Sequence, residues 1–244
     1  GFIPGVMNTD NMTLSGETID YGPCAFMDAY DPGTVFSSID HMGRYAYANQ
    51  PDIAQWNLAR LAETMLPLLD DEIEKAADTI EEVINGFGAL YKDKWLSMMR
   101  AKLGLFGARA EDESLITDLL DWMQRAGADY TNTFRHLTEE KPPQGKPYND
   151  RAFKEWYTQW QAQLAKNTKP LKSSLSLMRA NNPAVIPRNQ KVEQVLGAAT
   201  NGDLKPLKDL LTALQEPYKN RSDLKPYQSP PEPEDRVYQT FCGT

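Results

Sequence analysis

The sequence predicts a mainly α protein that carries a short β-hairpin near its N-terminus. Two observations predict this. From Pro51 onward apolar residues recur at spacings of three and four, the period of one helix face. Residues 1–50 are instead rich in Gly, Asp, Asn and Thr and hold only short apolar runs, which reads as loops and a small β element.

The hairpin is expected where Thr13-Leu14 faces Thr18-Ile19 across a turn at Ser15-Gly16. The first helix should bury Ala54, Leu58, Leu61, Met65 and Leu68 on one face. Asp71 with Glu74 reads as the cap pair of a second helix, whose face is Ile73, Ala77, Ile80 and Ile84. Asp112 opens another helix, with Leu115, Leu119 and Met123. Phe153, Trp156, Trp160 and Leu164 line an aromatic one, read as core and not as a binding box. Asp203 caps a last helix with Leu204, Leu207, Leu211 and Leu214. Lys141–Asn149 is a loop. The tail should be extended, because Pro226, Pro230, Pro231 and Pro233 fall within ten residues. Three segments result: 1–50 with the chemistry, 51–224 as a helical body, and 225–244 as a Pro-rich extended tail.

Composition excludes several roles. A formal net charge of -8 over 244 residues is a poor match for a nucleic-acid phosphate backbone, so no nucleic acid is expected. No run approaches the roughly 20 apolar residues of a membrane span, and no basic-then-apolar leader pattern occurs in residues 1–20. Cys24 and Cys242 are too few for a disulfide framework, and a reducing cytoplasm is the expected compartment. His41 and His136 lack a second His or Cys at ligand spacing, so zinc is not expected.

The informative segment is Gly5-Val6-Met7-Asn8-Thr9-Asp10-Asn11, followed nine residues later by Asp20-Tyr21-Gly22. Phosphoryl-type transfer needs hard oxygen ligands for Mg²⁺, and an amide with a carboxylate supplies them. Protein kinases use a catalytic-loop Asn and the Asp of Asp-Phe-Gly, in that order. Asn11 and Asp20 match in type and order, and Gly22 frees the backbone to turn just beyond the ligand. Five residues before Asn11, where a kinase has its catalytic Asp, stands Val6, which accepts no proton. Asp10 is the nearby carboxylate, as a base in changed geometry or as an outer partner of the metal. Arg44 is read as pairing with a core carboxylate or a phosphate. Lys92, Lys94 and Lys102 are read as solvated, and Cys24 as a structural residue.

At these residues the chain resembles the selenoprotein O family of kinase-like proteins. The likeness includes Gly5 to Met12, Thr18 to Pro23, Gly43-Arg44-Tyr45, Asn49-Gln50-Pro51 and Trp56-Asn57-Leu58. It continues at Asn182-Pro183 and Pro187-Arg188-Asn189, and the ending Thr240 to Thr244 is similar to bacterial members. The resemblance implies the helical C-lobe of a protein-kinase-like fold. It implies an adenylyltransferase that binds ATP flipped relative to kinases and moves AMP to Ser, Thr or Tyr hydroxyls of protein substrates with Mg²⁺ or Mn²⁺. Asp10 is then the proton acceptor, Asn11 and Asp20 hold the metal, and Asp20 also lies near the nucleotide phosphates. Cys242 sits where the family carries a Cys or selenocysteine linked to redox control. Pro4 departs from the family, which has a His there. No Gly-rich phosphate loop or strand-borne Lys is found. The expectation is therefore a bacterial cytoplasmic fragment, the C-terminal part missing its N-terminal lobe and inactive alone. The alternatives are a kinase-like phosphotransferase and a non-catalytic helical interaction module.

Overall fold

The computed structural model describes residues 1–19, 21–139 and 141–241. In chain order come β1 (Phe2–Ile3), β2 (Ala25–Phe26), α1 (Gln50–Leu69), α2 (Ile73–Asn85), α3 (Phe87–Lys102), α4 (Asp112–Ala126) and α5 (Tyr130–His136). Then follow α6 (Arg151–Ala165), α7 (Leu171–Asn181), α8 (Asn189–Thr200), α9 (Lys205–Leu214) and α10 (Lys225–Gln228). The mainly helical expectation holds. The chain divides into two compact units, one of residues 1, 26–31 and 96–237, the other of residues 2–25, 32–95 and 238 onward.

In the second of these units, α1 starts beside Pro51, whose missing N–H belongs to the helix's first turn. A three-residue link then folds α2 back along α1, and Gln55 Nε2 donates to Ile84 O at 2.9 Å, tying the start of α1 to the end of α2. The expected cap pair Asp71/Glu74 does not form; the Asp70 carboxylate instead accepts from Glu72 N at 2.9 Å. The apolar face predicted for α1 is also not buried. Ile53 and Asn57 are the buried residues of this 20-residue helix, while Leu61, Met65 and Leu68 are exposed.

The hairpin is corrected too. Thr13–Gly16 is a turn held by Gly16 N to Thr13 O, and Thr13 Oγ1 donates to Glu17 O at 2.7 Å. Leu14 and Ile19 are exposed, so two-residue arms here have no apolar face to bury. The paired strands are β1 and β2, at the outer ends of this segment.

The first unit is built on aromatic packing between α4 and α6. The Trp122 and Phe153 rings lie 4.6 Å apart, and Trp156 stacks on Trp160 at 6.0 Å. Each indole N–H is satisfied: Trp122 by Asp150, Trp156 by Leu115 O and Trp160 by Leu103 O, all within 2.9 Å. The Phe153/Trp156/Trp160 stripe is thus core, as the spacing predicts. Within the expected loop 141–149, Tyr148 is buried against Trp122 and Phe153.

Two further expectations shift. In α9 the buried residues are Leu210 and Ala213; of the expected face, Leu207 and Leu214 are half-buried, Leu214 packing against the cluster of Ala184, Val185, Ala213 and Leu224, while Leu204 and Leu211 are exposed. Lys225–Gln228 is a turn of helix, not extended chain. Pro226 stands in its first turn, where proline is tolerated.

Candidate active-site loop

The motif segment is a loop closed at its neck. Gly5 has φ +84°, and a Cβ there would lie 2.6 Å from Pro23 O, so only glycine lets the two ends of the segment touch. Ile3 in β1 and Ala25 in β2 are both buried at this neck. From the far end of the sequence, Thr240 Oγ1 donates to Pro23 O and Thr240 N to Phe36 O at 2.7 Å.

Inside the loop, Thr9–Asn11 makes a 3₁₀ turn closed by Asn11 N to Asn8 O at 2.9 Å. Two long-range bonds hold its approach. Asn57 Nδ2 on α1 donates to Met7 O at 2.8 Å, and Tyr45 OH donates to Asn8 Oδ1 at 2.5 Å. The turn thereby presents Asp10, which is exposed, and Asn11, which is half-buried. Neither side chain has a hydrogen-bond or ion-pair partner among the described residues. Asp20 lies outside the described residues, as do Cys242 and the two residues after it. Among the described residues no group of three His, Cys, Asp or Glu side chains converges on a metal site.

Beside the turn opens a cleft of about 370 Å³ whose walls include Thr9, Met12, Thr13, Leu58 and Leu61. Asn57 also lines it, 6% exposed, and its Oδ1 has no partner among the described residues. Arg60, which also lines the cleft, lies 5.2 Å from the Trp56 ring, and the Arg44 guanidinium lies 4.9 Å from the same ring. Arg44 therefore rests on an indole; of the two partners expected for it, a core carboxylate or a phosphate, no carboxylate pairs with its guanidinium among the described residues. His41 is exposed. Its neighbour Asp40 accepts from Arg44 N and Tyr45 N, each at 2.8 Å, which caps the turn leading to Tyr45. Cys24 is half-buried and donates to Tyr21 O at 3.4 Å.

The profile described as protein adenylyltransferase SelO matches residues 1–215. The chain belongs to the SelO family. It is 62% identical to the protein nucleotidyltransferase YdiU of Nitrosococcus oceani, 56% to that of Alcanivorax borkumensis and 55% to that of Anoxybacillus flavithermus. Each match takes in all of this chain and 50%, 51% and 50% of the relative, so the SelO-family chain spans about half the length of the curated relatives it matches. The printed names ascribe nucleotidyl transfer to those relatives. No helix among the described residues is long and apolar enough to cross a membrane.

Tyr45 and Asn57, the two groups that hold the loop, stand in the sequence only as parts of the stretches that resemble the family, with no role legible for either. The one available signal was an amide standing at a helix position whose neighbours are apolar. Lys102 is not solvated as expected. Lys92 and Lys94 are exposed, but Lys102 is 9% exposed, in the first-described unit. Its ammonium lies 4.5 Å from the Phe134 ring and donates to Asn181 O at 3.3 Å. Burial pushes its pKa down to about 8. In that same unit Arg188, 1% exposed, bonds Asp28, Asp129 and the Gln228 carbonyl. Nothing in the spacing of these four positions signalled that cluster.

Proposed function

We propose that the chain is the C-terminal part of a protein adenylyltransferase with a kinase-like C-lobe, moving AMP from ATP to Ser, Thr or Tyr hydroxyls of protein substrates. The observation that carries the reading is the loop: a pinned turn in which Asp10 and Asn11 are displayed with no side-chain partner among the described residues, in a chain of the SelO family. An exposed carboxylate and an amide oxygen left unengaged are the donor chemistry that suits Mg²⁺ or Mn²⁺.

In this reading Asn11 and Asp20 hold the divalent ion, with Asp20 also facing the nucleotide phosphates. The ion supplies charge stabilisation at the phosphates when bound. Asp10 takes the proton of the acceptor hydroxyl as its oxygen bonds the α-phosphorus, and pyrophosphate leaves. The Asn57 and Tyr45 bonds keep the turn in place, so that Asp10 is not reorganised during the reaction. The rest of the longer polypeptide, a missing N-terminal lobe, would grip the nucleotide, and the 244-residue chain alone would be inactive.

The test is product mass. The full-length protein is incubated with ATP, Mg²⁺ or Mn²⁺ and an acceptor protein. An added adenylyl group is expected, and it should be lost in Asp10→Ala and Asp20→Ala. A phosphoryl-sized addition overturns the reading in favour of a phosphotransferase. Absence of any addition from the unsubstituted protein overturns it in favour of a helical interaction module.

A further inference from the structure

Arg135 in α5 is a buried cation whose hydrogen-bond partners are all neutral. It is 6% exposed, and its guanidinium donates to Asn182 O at 2.8 Å, to Tyr218 O at 3.2 Å and to Asn220 Oδ1. No carboxylate pairs with it among the described residues. Arg188, also buried in the same unit, has Asp28 and Asp129. A buried charge is ordinarily paired, because its desolvation is otherwise uncompensated. Burial lowers the pKa of Arg135 from its ordinary value; Glu139 opposes this and Arg179 adds to it.

A cavity of about 600 Å³ has Arg135 in its wall together with His136, Arg221 and Lys225. Lys225 is exposed, and its ammonium has no partner among the described residues. Arg221 is already paired, with Asp223 at 3.0 Å and Glu216 at 3.9 Å. An adjoining cavity shares His136 and Glu139 as walls and brings in Lys141 and Arg179. The Arg179 guanidinium donates to Thr138 O at 3.0 Å, again a neutral partner. Among the described residues Glu139 is the carboxylate that lines these cavities. Positive charge thus collects here, in a chain whose net charge is -8.

We propose that the larger polar wall of Arg221, Lys225 and His136 binds a phosphate group, free or carried by a small polar molecule, with the buried Arg135 charge as its counter-ion. A phosphate carries about -1.5 to -2 charges at pH 7 and so offsets more than one cation, where a carboxylate offsets one. Arg135 acts through its field: its Nε is shielded from solvent and makes no bond to the ligand. The direct contacts fall to the Lys225 ammonium, the Arg221 guanidinium and the hydroxyls of Ser222 and Ser229, which share the cavity. The volume exceeds that of a bare phosphate and leaves room for a carrier. The carrier is not a nucleoside, because no aromatic ring lines the cavity among the described residues and a base would have nothing to stack on.

The test titrates inorganic phosphate onto the full-length protein by equilibrium dialysis, at low salt and in EDTA. EDTA removes divalent ions, so phosphate held through a metal at the Asp10 loop is not read, and the outcome is independent of the transfer chemistry. Saturable binding with a Kd below about 1 mM is expected. Lys225→Ala should weaken it at least about fivefold and Lys225→Arg should restore it. Lys208→Ala, at an exposed lysine of α9, should leave it unchanged. Lys225 is exposed, so circular dichroism should not change with either substitution. Glucose 6-phosphate and AMP then compete with the phosphate. Tighter binding of the sugar phosphate makes an ester the ligand, and weaker binding makes it free phosphate; both support the site. No saturation, equal weakening by Lys225→Ala and Lys208→Ala, or AMP binding more tightly than both other probes would each overturn the proposal.

Discussion

Replacing Arg188 by methionine should be among the most damaging single changes in the protein. The guanidinium is 1% exposed, and it bridges Asp28 and Asp129, with a bond of 2.8 Å to Asp129 Oδ2 and another of 2.8 Å to Gln228 O. Burial already pushes the Asp28 carboxyl above its usual range, against the pull of Arg188 and with the help of Asp129. Without the cation, two carboxylates face each other with little water. Removing one partner of a buried ion pair costs about 3–5 kcal/mol. The carboxylate side chains retain 18% and 11% exposure, so the lower end, about 3 kcal/mol, applies. With a urea dependence of roughly 2 kcal/mol/M, the midpoint should fall by about 1.5 M at pH 8. Trp122, Trp156 and Trp160 lie in the same unit, and their fluorescence reports the transition.

The pH dependence gives a second readout. In the variant the Asp28 carboxyl, already raised by burial, loses the opposing pull of Arg188, so its folded pKa stands above its unfolded one. Such a group contributes stability below its unfolded pKa, and this is lost as pH rises through the folded value. The deficit of Arg188→Met should therefore shrink as pH falls from 8 toward 4.5. The triple change Asp28→Asn, Asp129→Asn, Arg188→Met should recover most of the loss, because no charge is then left unpaired. A single variant within about 1 kcal/mol of wild type at pH 8, or a deficit that does not change with pH, would refute the reasoning.

Three other outcomes are expected. Lys102→Met should stabilise the chain by roughly 2–3 kcal/mol at pH 7, because a base whose folded pKa is about 8 is held charged in a place that disfavours charge. The gain should fade between pH 8 and 10.5, the window in which that penalty disappears, as measured by urea midpoints across the range. Gly5→Ala should destabilise by at least about 1–2 kcal/mol and speed proteolysis within residues 6–22, since positive φ and contact with Pro23 O both oppose a Cβ. Asn57→Asp, which swaps the donor to Met7 O for an acceptor, should cost roughly 3 kcal/mol and exceed Asn57→Leu; equal thermal shifts for the two would show that the bond does not hold the loop.

The sequence by itself determined the helical class, the aromatic core of α6 and the family to which the chain belongs. Each is written in short-range patterns. Spacings of three and four specify a helix whatever surrounds it, and Phe153, Trp156 and Trp160 are too large and apolar to stay in water. The run from Gly5 to Asn11 carried the resemblance to the family because its residue types are distinctive. The tertiary structure alone decided which apolar faces found partners. Leu61, Met65 and Leu68 read as core and lie open, while α9 turns Leu210 and Ala213 inward. It also decided which polar groups are buried: Asn57 under Met7, Lys102 over Phe134, and Arg188 between two aspartates that precede it by 160 and 59 residues. The physical reason is range. Periodicity fixes the direction in which a side chain points from its own backbone, but burial and pairing depend on what distant chain arrives there.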